Sequence, residues 1–280
     1  MRTLHTITEV RQALGDAPGP IGLVPTMGAL HDGHLSLLGQ ARERCATVVM
    51  SLFVNPTQFG GDEDLAAYPR DEARDAELAR AAGVDLLFAP AATEIYPPGF
   101  ATSVVVSGLS EPLEGTRRGP EHFHGVATIV TKLLNIVGPQ VAFFGQKDAQ
   151  QALVIKRLVR DLDIPTAIEV CPTVREPNGL ALSSRNAYLS DAERDRAAGL
   201  SRALRHAATL IAAGERDSRV AAAAARRELV RDQIEPEYLE LVDPDTLAPV
   251  EQIDAPVLVA VAARIGRARL IDNLVATPRS

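Results

Sequence analysis

At 280 residues, 46% of them hydrophobic, the chain is long enough for two domains sharing a sizeable core. A net charge of −7 with a pI near 5.4, and no basic stripe to offset it, argues against a nucleic-acid partner. Residues 1–15 lack a basic-then-apolar leader and no apolar run reaches about 18 residues, while two cysteines, Cys45 and Cys171, cannot build a disulfide framework, so a soluble, cytoplasmic protein without a membrane partner is expected.

The first strand predicted by apolar patterning, residues 21–24, runs into Pro25-Thr26-Met27-Gly28-Ala29-Leu30-His31-Asp32-Gly33-His34, and Leu35, Leu37, Leu38 and Ala41 then recur at helical spacing over 34–44. A helix opening at a strand end offers unpaired amides and the positive end of its dipole, which suits a phosphate. Gly28 and Gly33 permit close backbone approach or positive φ, and His31 and His34 add ring N–H donors. Zinc is disfavoured, because no Cys or third His adjoins the pair and the Glu of a helical H-E-x-x-H is missing.

Further strands predicted at 47–54, 84–88, 140–144 and 166–171 alternate with helices at 70–82, 124–137 and 148–160. This β-α-β order implies an α/β fold, a Rossmann-like doubly wound parallel sheet. Ligands of such sheets lie beyond the strand carboxyl ends where the strand order reverses, which places His34, Asn55, Gln58 and residues 145–151 at one crevice. Past residue 173 the composition shifts. Ser190-Asp191-Ala192-Glu193 is a capping box opening a long Ala- and Arg-rich helix, residues 221–225 fall in a second helix, and strands follow at 237–242, 257–263 and 268–274. The expected division is therefore 1–173 for the larger domain and 174–280 for a smaller α+β domain that closes as a lid.

His31-Asp32-Gly33-His34 resembles the H-x-G-H signature of the nucleotidyltransferase superfamily. Ala181-Leu182-Ser183-Ser184-Arg185-Asn186, after Val174-Arg175-Glu176-Pro177-Asn178-Gly179, looks like its second, mobile signature. Two hydroxyls and a guanidinium suit triphosphate oxygens, and the Arg fork holds charge as pyrophosphate leaves. Together with Phe53-Val54-Asn55-Pro56-Thr57-Gln58-Phe59 and Phe143-Phe144-Gly145-Gln146-Lys147-Asp148-Ala149-Gln150-Gln151, the ordered set resembles the pantothenate synthetase family, with matches from residue 24 to 189 and a weaker one at 264–274.

That resemblance implies an AMP-forming ligase: ATP-dependent condensation of (R)-pantoate with β-alanine through a pantoyl adenylate, with Mg2+ accompanying ATP and a homodimer formed through the larger domain. It implies catalytic roles for His34, His31, Lys147 and Arg185. Met27, Gly28, Ala29, Leu30, Asp32, Gly33, Gly145, Gln146, Asp148, Val174, Leu182, Ser183 and Ser184 join them around ATP, with Asp148 at the ribose or near magnesium. Gln58, Gln151, Asn55 and His122 fall to pantoate, Gln58 reaching β-alanine as well, and no residue is assigned as a resident metal ligand. Gln146 and Thr57 depart from the Glu and Met frequent in the family. A nucleotidyltransferase that stops at a nucleotide-linked product and a non-catalytic nucleotide-binding module remain the alternatives.

Overall fold

The computed structural model describes residues 1–59, 65, 68 and 70–279. They form two compact units, residues 1–145 with 150–172, and residues 146–149 with 173–280.

The first unit is built on six strands: β1 Arg2–Leu4, β2 Ile21–Thr26, β3 Thr47–Leu52, β4 Leu86–Phe88, β5 Val141–Gly145 and β6 Ala167–Cys171. They pair in parallel in the order β1-β4-β3-β2-β5-β6, so the direction of winding reverses between β2 and β5. The helices are α1 Ile7–Leu14, α2 Asp32–Arg44, α3 Glu72–Ala81, the short α4 Ala92–Ile95 and α5 Glu114–Arg118, then α6 Glu121–Val137 and α7 Ala149–Asp161, whose first residue lies across the unit boundary.

Period-two alternation sorts the strand side chains between two covered faces. Val24, Val48, Met50, Leu87 and Phe143 pack with Leu38 and Ala41 of α2 and Ala79 of α3. The alternate residues Leu23, Val49, Phe88, Ala142 and Phe144 are buried as well. Fit is tight along β2: a Cβ on Gly22 would sit 2.8 Å from the Cys45 Sγ and 3.2 Å from the Phe143 ring. Both cysteines are buried free thiols, and burial pushes each above the ordinary thiol range.

Patterning alone does not reveal β1 and α1. The strand has only three residues and finds its partner in β4, with Arg2 beside Leu86. A local signal does exist for α1, since Thr6 and Glu9 form a reciprocal capping box. Several starts also shift: the helices expected from 34 and 70 begin at Asp32 and Glu72, and the strand expected from 84 begins at Leu86. The helix expected from 124 begins at Glu121, and the one expected from 148 begins at Ala149 after a 3-10 turn over Gln146–Asp148.

The second unit carries α8 Asp191–Ala197, α9 Gly199–Ala213, α10 Ser218–Arg231 and an antiparallel sheet, β7 Pro236–Val242, β8 Val257–Ile265 and β9 Ala268–Ala276. Leu204, Ala207 and Ile211 of α9 and Ala221, Ala225 and Leu229 of α10 share a core with Val257, Val259, Val261 and Ala263. The Ser190/Glu193 capping box forms, but the long helix it was expected to open is two. Ala198 closes α8 and opens α9. At the break a Cβ on Gly199 would collide with the carboxylate of Asp232, the residue that caps α10 and pairs with Arg202 at 2.9 Å. A close approach from α10, invisible to helical periodicity, thus coincides with the interruption.

Candidate active site

Gly28 and Ala29 leave β2 with φ of +91° and +53°, the left-handed region that Ala enters at a cost. What holds this turn is Asp75 of α3. Its carboxylate, 1% exposed, accepts from the Ala29 amide at 2.9 Å and the Leu30 amide at 2.8 Å. These two donors, suited at the level of sequence to a phosphate, therefore already serve an internal anion. Gly33 is helical, unlike the turn glycine Gly28.

His31 is the N-cap of α2, and its Nδ1 accepts from the Gly33 amide at 3.1 Å. The His34 Nδ1 accepts in return from the His31 amide at 3.3 Å, and the two rings stand 4.1 Å apart. A neutral imidazole that accepts at Nδ1 carries its proton at Nε2. The cap thereby sets both rings as Nε2–H donors, and Met27, the turn and both histidines stand at the carboxyl end of β2.

After β3, Asn55 caps the 3-10 turn Pro56–Gln58 and is 1% exposed. Its Nδ2 donates to the Gln58 Oε1 at 3.0 Å and the Gly125 carbonyl at 3.2 Å, while its Oδ1 accepts from the Tyr96 hydroxyl at 2.8 Å and the Thr57 hydroxyl at 2.9 Å. Gln58 Nε2 approaches the Met27 Sδ at 3.1 Å, a weak acceptor readily exchanged for a substrate oxygen. His122, in α6, bonds the Gln58 carbonyl through Nδ1 at 2.6 Å and meets the Arg118 guanidinium through Nε2 at 3.0 Å. Arg118 can only donate there, so Nε2 accepts and Nδ1 carries the proton. Both ring nitrogens of this histidine, expected at the substrate, thus have protein partners, and Nδ1 holds the Gln58 carbonyl.

The glutamine pair that opens α7 splits in role. Gln150 is buried, accepting from the Glu114 amide at 3.0 Å and donating to the carbonyls of Leu109 and Pro112 at 2.8 and 2.7 Å. Gln151 is half-buried, with no side-chain hydrogen bond among the described residues. At the end of β5, a Cβ on Gly145 would meet nothing within 4 Å, leaving open space over the backbone.

In the second unit, Lys147 lies in the 3-10 turn Gln146–Asp148 with its Nζ 3.6 Å from Asp148. Asn273 of β9 grips this turn, donating to the carbonyls of Gln146 and Lys147 at 3.0 and 2.9 Å. Val174 and Leu182 pair through a 3.0 Å backbone bond next to the Arg175/Ala181 bridge, which closes the base of the S-S-R-N loop. Ser183 caps the 3-10 turn Ser184–Tyr188, and buried Asn186 ties it down through Glu176 and the Ala181 carbonyl. Glu176 in turn pairs with Arg194 at 2.9 Å. Arg185 is exposed, its guanidinium without a hydrogen bond or ion pair among the described residues.

The candidate residues thus assemble as two groups. Met27 to His34, Asn55, Gln58, His122, Gly145 and Gln151 belong to the first unit, and Gln146 to Asp148, Val174 and Leu182 to Arg185 to the second. Sequence reading passed over Asp75, Tyr96, Gly125 and Asn273. The last had a signal, since Asp272-Asn273 interrupts an apolar strand pattern.

A family profile described as Pantoate-beta-alanine ligase matches residues 2–275. The chain belongs to that family. It is 54% identical to the pantothenate synthetase of Moorella thermoacetica over 279 residues, covering 98% of each chain. With that of Chloroflexus aurantiacus it shares 52% over 275 residues, or 98% of this chain and 97% of the relative. A crystal structure of pantothenate synthetase from Thermus thermophilus superimposes with a TM-score of 0.94 at 48% identity, over 99% of this chain and 100% of that one. The pantoate-beta-alanine ligase of Francisella tularensis, complexed with beta-gamma ATP and beta-alanine, gives 0.82 at 34% identity over 98% and 97%. The family's α/β fold, a parallel six-stranded sheet with a smaller three-stranded antiparallel sheet, is the one described above.

Proposed function

We propose that this ligase condenses (R)-pantoate with β-alanine at the expense of ATP. The pantoate carboxylate oxygen attacks the α-phosphorus, the bond to the α–β bridging oxygen breaks, and pyrophosphate departs. The β-alanine nitrogen then attacks the acyl carbon, the acyl–oxygen bond breaks with release of AMP, and the nitrogen sheds its proton. Neither step needs a covalent protein nucleophile, so the protein's work is alignment and stabilisation of developing charge.

The observation that carries this reading is the reciprocal His31/His34 cap, which sets two ring donors at the carboxyl end of β2 in a chain related along nearly its whole length to pantothenate synthetases. His34 supplies an Nε2–H hydrogen bond to the charge that develops on the departing phosphates, with His31 beside it. Gln58 and Gln151 offer amide donors and acceptors to the hydroxyls and carboxylate of pantoate, while Asn55, expected beside them, has its carboxamide taken up by protein partners and instead holds Gln58 in place together with His122. Lys147 and Arg185 bring positive charge to the phosphates, joined by the hydroxyls of Ser183 and Ser184. Met27, Gly28, Asp32, Gly33, Gly145, Gln146, Asp148, Val174 and Leu182 complete the nucleotide's surroundings. Among the described residues no group of three or more His, Cys, Asp or Glu is placed to hold a metal ion, so Mg2+ arrives on the ATP oxygens and offsets their charge. Family likeness supports a homodimer, checked by sedimentation equilibrium, and two buried free thiols suit a reducing cytoplasm.

Omitting each substrate in turn tests the reading. Pyrophosphate should form only when pantoate is present, and AMP should be released in quantity only on adding β-alanine. A stable adenylylated product that persists with the amine present marks a nucleotidyltransferase; neither product marks a binding module.

A further inference from the structure

Asn273 is 5% exposed, and its carboxamide is used completely as a donor. Both Nδ2 protons go to consecutive carbonyls, those of Gln146 at 3.0 Å and Lys147 at 2.9 Å, while Oδ1 accepts from the Gln146 side chain at 3.0 Å. Only a carboxamide at this distance from the backbone has that set of two donors and one acceptor. Asp would set a carboxylate against two carbonyl oxygens, and Ala would strip two part-buried carbonyls of their partners. The preceding residue fixes the frame. Asp272, 3% exposed, takes both ends of the Arg175 guanidinium at 2.6 and 2.9 Å and accepts from the Asn273 amide at 2.8 Å. Arg175 also donates to the Gly179 carbonyl at 3.1 Å, at the base of the loop bearing Ser183, Ser184 and Arg185.

We infer that Asn273 is a positioning residue for Lys147, locking the turn that carries the lysine to β9 so that it shares a rigid frame with the S-S-R-N loop. Although Lys147 directly follows β5 in the chain, residues 146–149 belong by their contacts to the second unit, as this lock requires. The inference rests on the proposed role of Lys147 at the ATP phosphates. Asn273 itself touches no substrate and acts through the lysine.

A double-mutant cycle on the full-length enzyme tests it, comparing wild type, Asn273→Ala, Lys147→Ala and the double variant by kcat/KM for ATP, KM for β-alanine and thermal midpoint. Asn273→Ala should lower kcat/KM for ATP about tenfold, the scale of one net hydrogen bond lost, with KM for β-alanine unchanged within about twofold. In the Lys147→Ala background the same substitution should cost less than about twofold. Equal costs in both backgrounds would show a purely structural effect and overturn the inference, as would an unaffected Asn273→Ala beside an impaired Lys147→Ala. If Lys147→Ala leaves kcat/KM for ATP intact, the role assigned to the lysine fails, and the inference with it. Should Asn273→Ala not fold, Asn273→Ser keeps one donor and runs the same cycle, with a smaller loss expected in the wild-type background and almost none beside Lys147→Ala.

Discussion

One hydrogen bond at each of His31 and His34 decides which ring nitrogen bears the proton. Because both Nδ1 atoms accept backbone amides, the donors are both Nε2, and the imidazoles need not be charged to bind an anion. His34→Ala should slow pyrophosphate release in a single turnover by about 10²-fold or more, the range for loss of one preorganised hydrogen-bond donor to developing charge. A wild-type burst would refute that role. Gln58 sits in a different economy of bonds, spending one donor on a methionine sulfur. Its removal in Gln58→Ala should weaken pantoate far more than ATP in calorimetric titrations, and equal losses would count against the assignment. H-x-G-H was legible as a donor pair from residue identity alone, whereas the consumption of the Ala29 and Leu30 amides by Asp75 was not, since the carboxylate comes from a helix 45 residues away.

At the scale of elements, the amide cluster depends on how closely α6 lies on the turn after β3. A Cβ on Gly125 would press into the Thr57 carbonyl and approach the Gln58 amide to 2.7 Å. Backbone cannot step aside as a flexible side chain does. Gly125→Ala should therefore cost about 1–3 kcal/mol in urea unfolding, the scale of overpacking, and displace Gln58 enough to raise KM for pantoate while KM for ATP changes little. Unchanged stability and kinetics would show that α6 slides freely. Strands and helices with strong periodicity were legible here to within a few residues. The elements missed were those with little periodicity to read, such as three-residue β1, or those cut by a neighbour, such as α8 and α9.

For the molecule as a whole, titration bounds the stable pH range from both sides. Burial raises the Cys45, Cys171 and Tyr96 groups above their ordinary values, so the folded chain holds those protons more tightly than the unfolded chain. Their contribution is complete below the ordinary thiol and phenol values and disappears as pH climbs through the raised ones. Hydrogen bonds lower four carboxyls: Glu9 through the His5 amide, Glu193 through the Ser190 amide, Asp217 through the Arg219 side chain and Asp243 through the Thr246 hydroxyl. What they add is present above the usual carboxylate range and lost as pH falls through their lowered values. Urea midpoints should accordingly form a plateau around neutrality and fall on both flanks; a midpoint still rising past the ordinary thiol range would contradict the alkaline half. By itself the sequence determined the alternation of strands and helices, the order of the motifs and the donor and acceptor types of the candidate site residues, because period, capping and donor chemistry are local properties. Only the tertiary structure decided that Asp75 fills the turn, that His122 serves Gln58 and that Asn273 holds the turn of Lys147. Each of those bonds joins residues far apart in the chain, and no local pattern records which distant partner packing will bring.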